Sequence, residues 1–164
     1  MAKPSVAPTI NGPFAHHVYI GCAIADQSRV EKLRRQLEQL QIKCCTRNVD
    51  GHVDRAMISI INSGVSSSRK CLLYVSPDYV ADEWFDIETK AVQSKVNRFT
   101  RDMLLVLKDS RLPILPEQFR GFSCFVADES VDGDAEHANR IAAEILKGLL
   151  LACQNQFAHF LSSQ

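Results

Sequence analysis

An excess of charge of either sign is missing from this sequence: 19 Lys and Arg residues balance 19 Asp and Glu residues. A dedicated nucleic-acid binder carries a basic footprint, and the overall balance shows none. No apolar run approaches the roughly 18–20 residues of a helical membrane span. The start, Met1-Ala2-Lys3-Pro4, lacks the continuous apolar core of a signal peptide. Glycine is scarce, and its 7 positions form neither Gly-x-Gly-x-x-Gly nor a Gly-x-x-x-x-Gly-Lys-Ser/Thr phosphate loop. A Gly-x-Ser-x-Gly nucleophile elbow is absent as well. His16, His17, His52, His137 and His159 contain no His-x-x-x-His pair, so no metal site is expected. The acidic stretch Asp78, Asp82, Glu83, Asp86, Glu88 has no Gly where an EF-hand loop needs one. The 6 cysteines include no Cys-x-x-Cys. Cys22, Cys44, Cys71 and Cys124 sit inside apolar runs, where a reduced Cys packs as a small hydrophobe. Buried free thiols and a cytoplasmic location are therefore expected.

What the sequence does have is apolar patterning. Hydrophobic residues make up 46% of it, which excludes a disordered, charge-rich tail. Residues 1–15 read as a Pro-punctuated flexible leader, 16–155 as one domain and 156–164 as a tail. Short, nearly unbroken apolar runs span Val18–Ala25, Cys71–Val75, Met103–Leu107 and Ser123–Ala127, with a weaker one at Ile42–Cys45. Such runs suit strands buried on both faces. Helical periodicity lies between them. Val30, Leu33, Leu37 and Leu40 form one stripe, and Met57, Ile58 and Ile61 mark a second helix over Val53–Asn62. A third starts near Pro77 or Asp82 and runs to Asn97, with Trp84, Ile87 and Ala91 on one side; a last spans Asp134–Cys153. Strands alternating with helices predict an α/β fold: a doubly wound, five-stranded parallel sheet with helices on both faces. Ligands of such sheets gather at the carboxyl ends of the strands, just after Ala25, Cys45, Val75 and Leu107.

The most specific stretch is Ser68-Arg69-Lys70 before an apolar strand, then Ser76-Pro77-Asp78-Tyr79, then Trp84-Phe85-Asp86-Ile87-Glu88. In order and spacing it resembles the central part of the TIR (Toll/interleukin receptor) domain family. The resemblance extends over roughly residues 16–155 and implies the flavodoxin-like TIR fold. Arg47-Asn48-Val49-Asp50-Gly51 takes the place of the family's partner-contacting loop but lacks its proline.

The resemblance implies function at two levels. Members signal by TIR–TIR contact, so Arg47, Asn48, Asp50, Gly51 and His52 are expected at a partner-binding loop, with other TIR domains, self-association included, as partners. Some members also cleave the nicotinamide–ribose bond of NAD+ with one helix-borne glutamate. Nicotinamide leaves from a positively charged nitrogen and needs no general acid, so one carboxylate can stabilise the developing oxocarbenium ion. That reading makes Glu88 the catalytic residue and Trp84, Ser76, Ala23, Ile24 and Arg47 its substrate-binding surroundings. NAD+ is then a substrate, and no cofactor is implied. Trp84 and Glu88, four apart, share a helix face. The alternative is a non-catalytic adaptor in which Trp84 packs in the core, Glu88 pairs with a base, Ser76 caps a helix and Tyr79 is a packing residue. A phosphoacceptor receiver needs paired acids after the first strand and an Asp after the third, where this chain has a lone Asp26 and Ser76.

The zero balance is also segregated. Residues 78–88 carry five acids and no base, whereas 29–55 carry seven bases against four acids. Complementary patches on one chain suit head-to-tail contact between copies.

Overall fold

The computed structural model of the protein describes residues 14–47, 56–98, 103–127 and 139–145, together with Ser162. Strand β1 is His16–Gly21, β2 Cys44–Thr46, β3 Ser68–Val75, β4 Leu104–Asp109 and β5 Ser123–Ala127. All pair in parallel, in the order β2-β1-β3-β4-β5. Helix α1 is Gln27–Gln39, α2 Met57–Ser67, α3 Pro77–Val80 and α4 Phe85–Arg98, and residues 139–145 are helical. Chain direction reverses its march across the sheet between β1 and β3. The crevice above that switch point is where open α/β sheets bind and react.

Strand alternation sorts the core into two layers. Tyr19, Cys71, Leu73, Val75, Leu104 and Val106 face one way, against Ile61 and Val65 of α2 and Val92 and Val96 of α4. Val18, Ile20, Leu72, Tyr74, Leu105 and Leu107 face the other, against Val30 and Leu37 of α1 and Ile141 and Ile145. Both faces are covered, which is why the strands read as continuous apolar runs rather than alternating ones. Each fully buried leucine here contributes about 1.5–3 kcal/mol relative to exposure.

The structure moves several boundaries. The first strand ends at Gly21, where its last partner in β3 is Leu73. Cys22 and Ala23 leave the sheet, and Ile24–Asp26 forms a 3-10 turn with Ile24 64% exposed. The apolar run to Ala25 thus belongs partly to the crevice rim. Helix α2 continues to Ser67 through Gly64, because Gly64 is a packing residue: a Cβ built there would lie 2.8 Å from the Tyr19 ring. The third expected helix is two. Ser76 caps the one-turn α3, and Asp82 starts α4 by accepting from the Trp84 N–H at 2.8 Å. His16 and His17 do open β1. The helix expected at 134–153 is described only over 139–145; the leader to residue 13 and residues 48–55, with Asn48, Asp50, Gly51 and His52, lie outside the described residues.

Cys22 and Cys71 are buried free thiols, as expected, but Cys44 is half-buried and Cys124 is exposed. Cys124 sits on β5, which has a paired neighbour on one side among the described strands. Burial pushes the Cys22 and Cys71 thiols up to about 12, so both stay protonated and unreactive at neutral pH.

Candidate functional site: a buried carboxylate clamp

Glu88 lies in the first turn of α4, its N–H donating to the Trp84 carbonyl at 2.9 Å. The helix points its side chain inward, under the switch point, and Glu88 is 0% exposed. Both carboxylate oxygens are engaged. The Tyr19 hydroxyl donates to Oε2 at 2.5 Å, and the Tyr79 hydroxyl donates to Oε1 at 2.6 Å. Tyr19 comes from the middle of β1 and Tyr79 from α3, so two elements far apart in sequence converge on one carboxylate.

A cation sits beside it. Arg47 Nη1 lies 3.8 Å from Glu88 Oε2, while Nη2 pairs with Asp82 Oδ2 at 3.0 Å and donates to the Cys22 carbonyl at 2.8 Å. Arg47 is 3% exposed. Arg47, expected both at a partner-binding loop and around Glu88, is placed by the structure beside Glu88. β2 is short, and Arg47, immediately after it, turns inward to neutralise Asp82 and Glu88. Its Nη1 has no hydrogen-bond partner among the described residues.

Two glycines make room for this arrangement. A Cβ on Gly21 would collide with Glu88 Oε1 and lie 2.9 Å from its Cδ, and Gly64 gives the same clearance to the Tyr19 ring. Burial pushes the Glu88 carboxyl above its ordinary range; the Arg47 charge and the tyrosine hydroxyls pull it back without cancelling that rise. Burial, then the Glu88 charge, holds the Tyr19 and Tyr79 hydroxyls well above their ordinary value, so both act as donors.

The other expected site residues occupy distinct places. Trp84 precedes α4 and packs, half-buried, against the core layer that contains Tyr79 and Phe85. Ser76 is fully buried, accepting from the Tyr79 N–H at 3.0 Å and donating to Asp26. Ala23 is buried, and Ile24 is exposed on the rim. Sequence reasoning missed Tyr19, Gly21 and Asp82, and read Tyr79 as a packing residue alone. Among the described residues no His, Cys, Asp and Glu cluster could hold a metal ion.

This arrangement of a switch-point carboxylate on the helix after Ser76-Pro77-x-Tyr79 falls inside a segment, residues 18–142, that matches the family model for the TIR domain. The chain belongs to the TIR domain family. Among solved structures, the TIR-STING receptor from C. gigas in complex with 2',3'-cGAMP matches at 19% identity and TM-score 0.69, covering 85% of this chain and 42% of that one. The TIR domain of the Toll-related receptor TRR-2 from Hydra magnipapillata matches at 17% identity and TM-score 0.58, covering 79% and 98%. A TIR domain of the RPS4 and RRS1 heterodimer matches at 17% identity and TM-score 0.54, covering 80% and 96%. At these identities the matches establish the TIR fold. The chain spans less than half the length of the C. gigas receptor. No curated protein matches the chain.

Proposed function

We propose that this TIR domain is a cytoplasmic signalling module that works by TIR–TIR contact, with Glu88 as a structural carboxylate. The observation that carries the second half is the clamp: both Glu88 oxygens accept tyrosine hydroxyls, and the side chain has no exposed surface. A carboxylate that stabilises a ribosyl cation must touch the sugar, and both oxygens of Glu88 accept protein hydroxyls instead. TIR–TIR contact draws support from family membership and from a heterodimer of TIR domains among the similar structures. Lys32 and Arg35 on α1, and Asp78, Glu83 and Asp86 near α3 and α4, are exposed charges of opposite sign that a second copy can match. The buried, protonated thiols of Cys22 and Cys71 suit a reducing compartment. No described helix is long and apolar enough to cross a membrane.

NAD+ hydrolysis is the second reading. One observation favours it: Arg47 Nη1 is a buried donor without an acceptor among the described residues, 3.8 Å from Glu88. One experiment separates the two. Concentrated protein is sedimented across a salt series and then incubated with excess NAD+ while nicotinamide is followed. The scaffold reading predicts association that weakens as the Debye length falls from about 10 Å toward 3 Å, and no nicotinamide release. Release that Glu88→Gln abolishes would establish the hydrolase instead, and a monomer at every concentration would remove the self-association.

A further inference from the structure

A second polar network occupies the carboxyl ends of β1, β3 and β4, and it is joined to the Glu88 clamp by an unbroken line of contacts. Asp109, the last residue of β4, is fully buried. The Tyr74 hydroxyl donates to its Oδ2 at 2.6 Å. Arg111 holds the same carboxylate with its backbone N–H at 2.8 Å, Nε at 3.0 Å and Nη2 at 2.9 Å. Its Nη2 also reaches Asp26 Oδ1 at 3.4 Å. The other oxygen of Asp26 accepts from Ser76 Oγ, Ser76 Oγ accepts from the Tyr79 N–H at 3.0 Å, and the Tyr79 hydroxyl donates to Glu88 at 2.6 Å.

Exposure along that line is uneven. Asp26 is 5% exposed, and Ser76, Tyr79 and Glu88 are 0% exposed, whereas the Arg111 side chain is 49% exposed. Arg111 is therefore the member of this line that solvent or an acidic partner can reach directly. Its guanidinium fork also suits the job: Nε and Nη2 grip Asp109, Nη2 is shared with Asp26, and Nη1 lies 3.9 Å from Asp78 Oδ2. Without it, Asp26 becomes a buried carboxylate that has lost a cation, and such a group is relieved by moving toward water. Asp26 cannot move without withdrawing the acceptor of Ser76, the cap of α3. That cap holds the turn from which Tyr79 reaches Glu88.

We propose that Arg111 is the outer latch of the Glu88 clamp: its bonds to Asp26 and Asp109 hold the Ser76 cap of α3, and through it the Tyr79 hydroxyl, closed on Glu88. The latch is a positioning device, and it holds whether Glu88 is structural or catalytic, so nicotinamide assays and this proposal stand or fall separately. Physical coupling of this kind shows itself in local opening rather than in global unfolding.

The test is amide hydrogen exchange on the whole chain, comparing wild type with Arg111→Gln. Exchange is expected to rise about tenfold at the Tyr79 and Val80 amides, which bond to Ser76, while core amides such as Leu73 and Val106 change by less than about twofold. Arg111→Lys, which keeps the charge and loses the fork, is expected to fall between the two. In a Ser76→Ala background the same amides already exchange fast, and Arg111→Gln adds nothing further. Unchanged exchange at Tyr79, a rise spread evenly over the core, or full additivity with Ser76→Ala would each overturn the latch.

Discussion

Arg47→Met is expected to lower the free energy of unfolding by about 3–5 kcal/mol, the range for removing one partner of a buried ion pair. Arg47 is 2% exposed at its side chain and faces Asp82, itself 10% exposed, and Glu88, at 0%. Methionine fills the space of the stem but leaves both carboxylates without their cation and the Cys22 carbonyl without its donor. Solvent screens this loss little, because the Arg47 and Glu88 side chains are buried and Asp82 is 10% exposed. Urea denaturation at neutral pH reads the change directly. The penalty should shrink in acid, where Glu88, its carboxyl raised by burial, becomes protonated and no longer needs a cation. A loss below about 1 kcal/mol at neutral pH would mark the pair as no better than a surface ion pair.

Gly21→Ala is the second large effect. The new methyl group would collide with Glu88 Oε1 and lie 2.6 Å from Leu73 Cδ2. Neither neighbour can yield freely: Leu73 is fully buried in the sheet, and Glu88 is fixed by Tyr19 and Tyr79. Overpacking of this kind costs about 1–3 kcal/mol, and displacing the carboxylate adds the loss of its hydrogen bonds. The diagnostic is non-additivity. In a Glu88→Ala background the methyl group enters space the carboxylate has left, so Gly21→Ala should cost much less there, or nothing. Equal costs in both backgrounds would show that the collision is with Leu73 alone. Thermal or urea unfolding of the four proteins in this cycle measures it.

Sheet class and helix placement were legible because they are local. Uninterrupted apolar runs such as Cys71–Val75 and the Val30–Leu37 stripe carry their burial in the sequence itself. Glu88 was legible because Ser-Pro-x-Tyr and Trp-x-x-x-Glu sit together in one short segment. The rest of the site was not, for a geometric reason. Tyr19 and Glu88 are separated by 69 positions, and Arg47 reaches Asp82 across 35. Which of these meet depends on strand order, since β1 lies between β2 and β3. No local period encodes that order. One signal was available: Tyr19 and Gly21 lie two apart on a strand and so share a face, and a glycine there leaves room for a group from the covering helix. The burial of Arg47 is not legible either, because charge in a loop is usually solvated. Here Glu88 and Asp82 draw it inward. Cys124 was misread as buried, because an apolar run on an edge strand is shielded on fewer sides than one in the sheet centre.

Tyr19, Tyr79 and Arg47 together seal Glu88. Burial raises its carboxyl above the ordinary value of 4.5. Between 4.5 and that raised value the folded chain holds a proton that the unfolded chain has released, so stability falls as pH rises through this window. An NMR titration of the Glu88 side-chain carboxyl carbon, run with and without excess NAD+, reads the group itself. The predicted result is a midpoint above 4.5 that NAD+ does not move. A midpoint at or below 4.5, or one that shifts when NAD+ is added, would contradict a sealed structural carboxylate.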